Sequence, residues 1–234
     1  VASALSVAEN EAIGTAVGEV NATDPDAGAT LTYSLVSGVG DGNNSLFTLE
    51  TNGTLKTAVT FDYESNASAY TIRVEAKDDY NAFLEGNFSV VLTNVNEPPS
   101  ITSDGAAATA TLPVPEHQTA VTTVTATDPD TNGSSSLTFS ISGGADQAKF
   151  IINQFTGDLS FLIAPDYENP TNAGANNVYE VTLRASDGLL YEEQTLSVMV
   201  TDADDPPLIT SDGAVANASL SVAENQTAVT TITG

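Results

Sequence analysis

Apolar and polar residues alternate with a period of two along short stretches of this chain, and the stretches are bounded by glycine, proline, asparagine and aspartate. Thr15 to Ala22, Leu31-Thr32-Tyr33-Ser34-Leu35, Thr71-Ile72-Arg73-Val74-Glu75-Ala76 and Phe88-Ser89-Val90-Val91-Leu92 each gather their apolar side chains on one face when extended. The pattern returns in Leu137-Thr138-Phe139-Ser140-Ile141, Tyr179 to Ala185 and Leu196-Ser197-Val198-Met199-Val200. Thr51-Asn52-Gly53 and Phe155-Thr156-Gly157 supply turn chemistry between strands. No stretch has a convincing helical period. About seven short strands in roughly 100 residues predict an all-β fold of tandem seven-stranded Greek-key β-sandwiches, with Tyr33 and Phe139 at equivalent core positions.

The alternation belongs to an internal repeat. Ser6-Val7-Ala8-Glu9-Asn10 recurs as Val114-Pro115-Glu116-His117 and as Ser221-Val222-Ala223-Glu224-Asn225, with 107 residues from Glu9 to Glu116 and 108 from Glu116 to Glu224. Ala22-Thr23-Asp24-Pro25-Asp26 matches Ala126-Thr127-Asp128-Pro129-Asp130, Asp62-Tyr63-Glu64 matches Asp166-Tyr167-Glu168, and Ala76-Lys77-Asp78 matches Ala185-Ser186-Asp187. Asn96-Glu97-Pro98-Pro99 and the following Ile101-Thr102-Ser103-Asp104-Gly105 return as Asp204-Asp205-Pro206-Pro207 and Ile209-Thr210-Ser211-Asp212-Gly213. A period this long fits an array of independent domains rather than a solenoid, and each Pro-Pro pair marks a boundary. The expected organisation is repeat 1 over 1–99, repeat 2 over 100–207, and the start of a third over 208–234. That last piece holds only an opening strand or two, too little for a core of its own. It is expected to be mobile or to add to another chain's sheet edge, which makes self-association one partner reading.

Composition narrows the chemistry. The chain has 31 Asp+Glu against 5 Lys+Arg, a formal charge of −26. That excludes the cationic face a nucleic-acid binder needs and disfavours an anionic membrane. No apolar run is long enough to span a bilayer, and the first residues have no basic flank of a signal peptide, so any export signal is expected outside this sequence. Without cysteine there are no disulfides and no thiolate ligands. With one histidine, His117, and no matched nucleophile, catalysis finds no support; His117 stands where the other copies carry Asn10 and Asn225 and reads as a solvated or packing residue. The acids are not scattered but recur in register, which points away from ordinary Asp turns and toward a divalent cation offsetting their repulsion. Two residues apart on an extended strand, Asp62 and Glu64 share a face, as do Asp24 and Asp26. Calcium takes six to eight oxygens, so its ligands must converge from several segments.

Ala8-Glu9-Asn10, Asp24-Pro25-Asp26, Phe61-Asp62-Tyr63-Glu64, Ala76-Lys77-Asp78 and the linker Asn94-Val95-Asn96-Glu97-Pro98-Pro99, in that order, resemble the cadherin-like domains, which have an immunoglobulin-like sandwich. The resemblance implies calcium bound at the junctions between domains. Carried over residue by residue, the complete set is Glu9, Asp62 and Glu64, the linker's Asn94, Asn96 and Glu97, and Asp128, Asp130 and Asp187. A second, partial set is Glu116, Asp166, Glu168, Asp202, Asp204 and Asp205, and a third is Asp24, Asp26 and Asp78. The linker is one residue shorter than the animal Asp-x-Asn-Asp-Asn-x-Pro and has Asn94 where aspartate is usual. In this it is similar to bacterial secreted forms, including rhizobial matrix adhesins that bind exopolysaccharide.

The function this implies is a secreted, extracellular calcium-binding adhesin or lectin of a biofilm matrix, with an acidic polysaccharide as partner. Tyr80, Phe83 and Tyr191, near predicted hairpin tips, are candidates for stacking on sugars. The alternatives are a passive calcium-stiffened stalk and homophilic protein adhesion.

Overall fold

The computed structural model describes residues 4–26, 28–130, 137–211, 217 and 219–233. Asp212 and Gly213 of the third motif copy lie outside them. Two compact units are present. Unit 1 comprises Val1–Ser100 with Ala126–Leu137 and Ser186–Glu192; unit 2 comprises Ile101–Thr125, Thr138–Ala185 and Glu193–Gly234.

The first seven strands are β1 (Leu5–Ala8), β2 (Ala16–Glu19), β3 (Thr32–Leu35), β4 (Phe47–Leu49), β5 (Thr54–Thr57), β6 (Ala69–Lys77) and β7 (Phe83–Thr93). They form a four-stranded sheet, β1-β7-β6-β3, and a three-stranded one, β2-β5-β4. Strand β1 runs parallel to β7, with Leu5 beside Val90 and Val7 beside Leu92, and the other pairs are antiparallel. On β6, Tyr70, Ile72 and Val74 are buried while Thr71 is exposed, as period-two patterning requires. Leu5, Val7, Val17, Tyr33, Leu55 and Val90 join them in one core drawn from both sheets.

The second set is β8 (Ser100–Ile101), β9 (Thr109–Pro115), β10 (Ala120–Thr123), β11 (Ala126–Thr127), β12 (Thr138–Gly143), β13 (Phe150–Ile152), β14 (Asp158–Phe161), β15 (Val178–Ser186) and β16 (Tyr191–Thr201). The same two sheets reappear as β12-β15-β16-β9 and β10-β14-β13. Tyr33 and Phe139 are buried as the alternation predicts. The helical elements among the described residues are two short 3₁₀ turns, Asn44–Leu46 and Gln147–Lys149. The turns before β5 and β14 require glycine: Gly53 has φ +95° and Gly157 φ +75°, and a Cβ there would lie 2.3 Å from the Val20 carbonyl oxygen and 2.1 Å from that of Val124.

The expected opening strand over 208–234 does not form among the described residues, and Leu220 and Val222 are exposed. A strand needs a neighbour for its hydrogen bonds. The earlier copies, Val7-Ala8-Glu9 and Val114-Pro115-Glu116, have β7 and β16 beside them, and no strand among the described residues flanks the third. One local pairing persists. Thr210 N donates to Thr233 O at 3.0 Å with the two hydroxyls 3.1 Å apart, and Thr102 and Thr125 make the same pairing at 2.8 and 2.9 Å.

Each core is fastened by three aromatic rings from different places in the repeat. In unit 1, Phe47, Phe61 and Tyr70 have centroids 4.9 to 6.1 Å apart. In unit 2 the trio is Phe150, Phe161 and Tyr179, at 4.5 to 6.4 Å. Phe161 pairs across the sheet with Phe150, whereas in unit 1 Thr57 sits opposite Phe47 and the ring comes from Phe61. Pro165, the counterpart of Phe61, is buried in turn. The ring has moved while the packing is kept. Phe61→Ala is therefore expected to destabilise unit 1 by about 3–5 kcal/mol in denaturant unfolding. Adding Thr57→Phe should recover only part of this, because Thr57 Oγ1 also donates to Ala12 O and accepts from Gly14 N.

Candidate metal centre

Two buried glutamates organise the acidic clusters. Glu9 follows β1, is 3% exposed, and accepts the backbone N–H of Tyr63 at 2.6 Å on Oε2 and of Val95 at 2.8 Å on Oε1. Glu116, after β9 and equally buried, accepts Tyr167 N at 2.6 Å and Ala203 N at 2.9 Å. In each unit one carboxylate thus ties the Asp-Tyr-Glu turn and the segment after the last strand to the end of the first.

The residue after each glutamate reverses the chain in the left-handed region, with φ 60° at Asn10, 63° at His117 and 65° at Asn225. Asparagine and histidine are among the side chains that tolerate this. Asn10 then donates its side-chain amide to Glu97 Oε1 at 2.7 Å, and His117 Nε2 stands 3.4 Å from Asp205 Oδ1 in the equivalent place. These two residues were not assigned to the sites by sequence. The signal available was that Asn, His and Asn follow the same glutamate.

Around Glu9, ligand oxygens of Glu9, Glu64 and Asp130 lie within 4.8 Å of one another. Asn94 donates to Glu64 Oε1 at 3.2 Å, Glu97 N to Asp130 Oδ2 at 2.5 Å, and Asn96 to Asp187 Oδ2 at 2.8 Å. Asp128 Oδ1 accepts Asp130 N at 3.0 Å, and Asp187 Oδ1 accepts Leu189 N and Leu190 N. Asp62 adjoins Glu64 but spends Oδ1 on Ser65 N at 3.1 Å.

The two-residue spacing of these pairs does not arise from the extended strands that alternation predicted. Asp62 and Glu64 lie on a turn, and Asp24 and Asp26 at a bend, not on strands. Asp side chains that bond the backbone two or three residues on set their direction, as in Asp26 N to Asp24 Oδ1 at 2.8 Å.

Around Glu116 two overlapping groups form, Glu116, Glu168 and Asp202, and Glu116, His117 and Asp205. Asp166 accepts Asn169 N at 2.9 Å, and Asp204 belongs to neither group. Asp24, Asp26 and Asp78 keep the turn geometry of their counterparts, Asp78 Oδ1 accepting Tyr80 N and Ala82 N, without a converging trio among the described residues. Tyr80, Phe83 and Tyr191 are exposed, with Phe83 opening β7 and Tyr191 opening β16 at equivalent repeat positions.

Charge in the first cluster is in conflict. Burial, then the charges of Glu9, Asp130 and Glu97, pushes the Glu64 carboxyl up from its ordinary value. Burial, opposed by the Asp130 N–H and reinforced by Asp187 and Asp130, raises Asp128. Hydrogen bonds act the other way on Asp187, through Leu189 N, Asn96 and Leu190 N, and on Glu116, through Tyr167 N and Ala203 N. Three of the five basic residues are engaged elsewhere, Lys56 with Glu50, Arg73 with Glu85 and Arg184 with Glu193.

The donor set suits a hard cation. Every converging ligand in the first cluster is oxygen, and each Glu9 oxygen keeps a lone pair beyond the one its N–H bond uses. With folded values raised, the contributions of Glu64 and Asp128 to stability are present in acid and lost as pH rises through those values. In chelator, Glu64→Gln and Asp128→Asn, which keep the oxygen acceptors, should each raise the thermal midpoint at neutral pH. The difference should vanish below the ordinary carboxyl values, 4.5 for Glu64 and 3.8 for Asp128. Midpoints measured across pH check this.

The family model of the cadherin domain matches residues 3–95 and 110–201. The chain is 35% identical over 186 residues to Protocadherin-17 of Homo sapiens, covering 71% of this chain and 15% of that protein. It is 30% identical over 213 residues to Protocadherin Fat 1 of Homo sapiens (86% and 4%), and 30% over 225 residues to Cadherin-18 of Bos taurus (87% and 27%). It thus spans a small part of each relative's length. Among solved structures, human Protocadherin-24 EC1-2 superposes with a TM-score of 0.59 at 21% identity, covering 86% of this chain and 95% of that one. Mouse Cadherin-23 EC22-24 gives 0.51 at 26%, covering 86% and 63%. With two tandem domains of this fold and the family's motifs in order, the chain belongs to the cadherin family.

Proposed function

We infer that this chain is a calcium-binding adhesion segment that works outside the cell. The observation that carries the reading is the twice-built arrangement in which a buried glutamate gathers further carboxylates: Glu9 with Glu64 and Asp130, and Glu116 with Glu168 and Asp202. Calcium on the first cluster would clamp the linker residues Asn94, Asn96 and Glu97 to the loops carrying Asp128, Asp130 and Asp187, with Asp62 adjoining. Glu116, Glu168, Asp202 and Asp205 would hold a second ion, with Asp166 and Asp204 nearby. Asp24, Asp26 and Asp78 are the weakest set. Bound cation would also relieve the repulsion that raises Glu64 and Asp128, so binding and stability are coupled. Extracellular sites of this kind match calcium at roughly 0.1–1 mM. The solved relatives whose titles speak of extracellular domains agree with that location.

The domain division 1–99, 100–207 and 208–234 belongs to the same reading, as does a finer partner assignment. Exposed Tyr80, Phe83 and Tyr191 and the short Asn94 linker favour an acidic exopolysaccharide in a secreted bacterial matrix, with calcium bridging acid to acid. Calorimetric titration with an acidic polysaccharide should then give heat in calcium and none in EDTA. Heat that survives EDTA overturns the bridging, and no heat in either leaves a calcium-stiffened spacer or protein-protein adhesion.

Saturating calcium at about 10–100 times the dissociation constant should stabilise by about 1.4–2.7 kcal/mol per site, a midpoint rise of roughly 5–15 °C that magnesium does not reproduce. Replacing Asp128 and Asp130 together with alanine should remove most of the part due to the first cluster while Phe47, Phe61 and Tyr70 stay packed. Circular dichroism melts in calcium, magnesium and EDTA decide it; a midpoint indifferent to calcium would end the metal reading.

A further inference from the structure

One loop of unit 2 is longer than its counterpart in unit 1. From the aspartate of the Asp-Tyr-Glu turn to the matched alanine of the following strand the chain runs 14 positions in unit 1, Asp62 to Ala76, and 19 in unit 2, Asp166 to Ala185. Two buried polar side chains hold the longer loop. Asp146, 5% exposed, accepts Ala173 N at 2.7 Å on Oδ1 and Glu180 N at 3.0 Å on Oδ2. Asn172, 6% exposed, donates Nδ2 to Asn176 Oδ1 at 2.7 Å and to Val178 O at 2.9 Å, and its Oδ1 accepts Asn176 N and Asn177 N. A loop fastened in this way can hold the wall of a binding site in place.

Its Asn169 and Thr171 help to line a cavity of about 400 Å³ whose buried floor is Phe161, Pro165 and Tyr179. Leu162 and Ile163, 56% and 83% exposed, line it nearer the surface. Two donors on the lining lack acceptors. The Tyr179 hydroxyl accepts Thr171 N at 3.2 Å, and nothing among the described residues accepts its proton. Lys149 is exposed and makes no ion pair among the described residues. A lysine here breaks the repeat. The backbone bond from Leu162 N to Lys149 O at 2.8 Å copies that from Ala58 N to Leu46 O at 2.9 Å, and Leu46 packs on the core of unit 1. A cation thus stands in an apolar residue's place beside an apolar cavity, in a chain with five basic residues against 31 acids.

An unpaired ammonium selects an anion, the aromatic and aliphatic walls select an apolar body, and the volume suits a small molecule. Asp166 also lines the cavity, beyond ion-pair reach of Lys149 and with Oδ1 accepting Asn169 N, and its charge repels a second negative group on the ligand. We propose that this cavity binds a small apolar monocarboxylic acid as its anion, with the tail against Phe161 and Pro165 and the carboxylate at Lys149. The site goes beyond the calcium reading and does not depend on it.

Sodium octanoate, titrated in EDTA into the isotope-labelled 234-residue protein and followed by nuclear magnetic resonance, tests it. Saturable amide shifts are expected at Lys149, Leu162, Ile163 and Thr171. Hexanoate should bind about 10-fold more weakly or worse, since each buried methylene is worth roughly 4-fold. Octylammonium, with the same tail and the opposite charge, should bind more weakly than octanoate in spite of the chain's formal charge of −26. Lys149→Leu, which supplies the side chain of Leu46, should weaken octanoate by about 2–5-fold, the scale of one partly exposed ion pair, and strengthen octylammonium. Ala148→Trp, at an exposed lining position, should block both ligands while amides remote from the cavity keep their shifts. No saturable shifts, shifts elsewhere, or binding that survives Ala148→Trp would overturn the cavity as a site. Octylammonium as tight as octanoate, or octanoate indifferent to Lys149→Leu, would overturn the carboxylate as the group it selects. With EDTA present throughout, calcium at the acidic clusters neither produces nor removes the result.

Discussion

A carboxylate buried at the end of the first strand is the constraint on which each repeat depends. Glu9 joins residues 54 and 86 positions away by accepting their backbone N–H groups. Burying a charge without partners is costly, and burying two N–H groups without acceptors is costly too. Placed together, the three groups cancel one another's need. The same solution at Glu116, with distances within 0.1 Å, shows that the buried glutamate serves the backbone of its own repeat before any cation is considered. Its neighbours then follow. The turn at Tyr63 brings Glu64 alongside, and the chain at Val95 brings Asn94 and Asn96.

The cost of that architecture is concentrated like charge, and the surroundings distribute it unevenly. Asp62 is held below the ordinary value by the hydroxyl and backbone donors of its own turn, and Asp187 by the backbone donors of its turn and the Asn96 amide of the linker. Glu64 and Asp128 are pushed up because burial and neighbouring carboxylates outweigh the donors they have. The first pair is served by protein donors. In the proposed metal reading the second pair is where a cation would recover most, so cluster stability and ion affinity would be coupled through the same two residues.

What sequence could reveal followed from repetition and length. Long alternating strands such as β6, β7, β15 and β16 were readable because several consecutive positions share a face. Strands β4, β5, β13 and β14, of three or four residues, carry too few alternations to stand out, whereas the equally short β2 and β3 lie within longer alternating stretches. The acids were legible because they recur in register, and the structure brings together Glu9, Glu64 and Asp130 from three distant segments. Their local geometry was not, because an Asp that bonds its own turn and an Asp on a strand have the same spacing. The aromatic trio was hidden for a different reason. Phe61 and Phe161 fill one volume from positions that do not align, so matching the repeats pairs Phe61 with Pro165 and conceals the compensation.

Comparison of the repeats also explains the exchange of Gly86 for Gln194. A buried side-chain amide needs acceptors, and Gln194 finds them in the carbonyls of Ala107 and Ser103 because the lead-in segment is seated there. At position 86 a Cβ would meet the Phe88 ring, at 3.5 Å, rather than a polar group. Glycine makes no such demand and leaves the Phe88 ring as its neighbour. The two repeats share a fold and differ in what one matched position of the last strand asks of its surroundings.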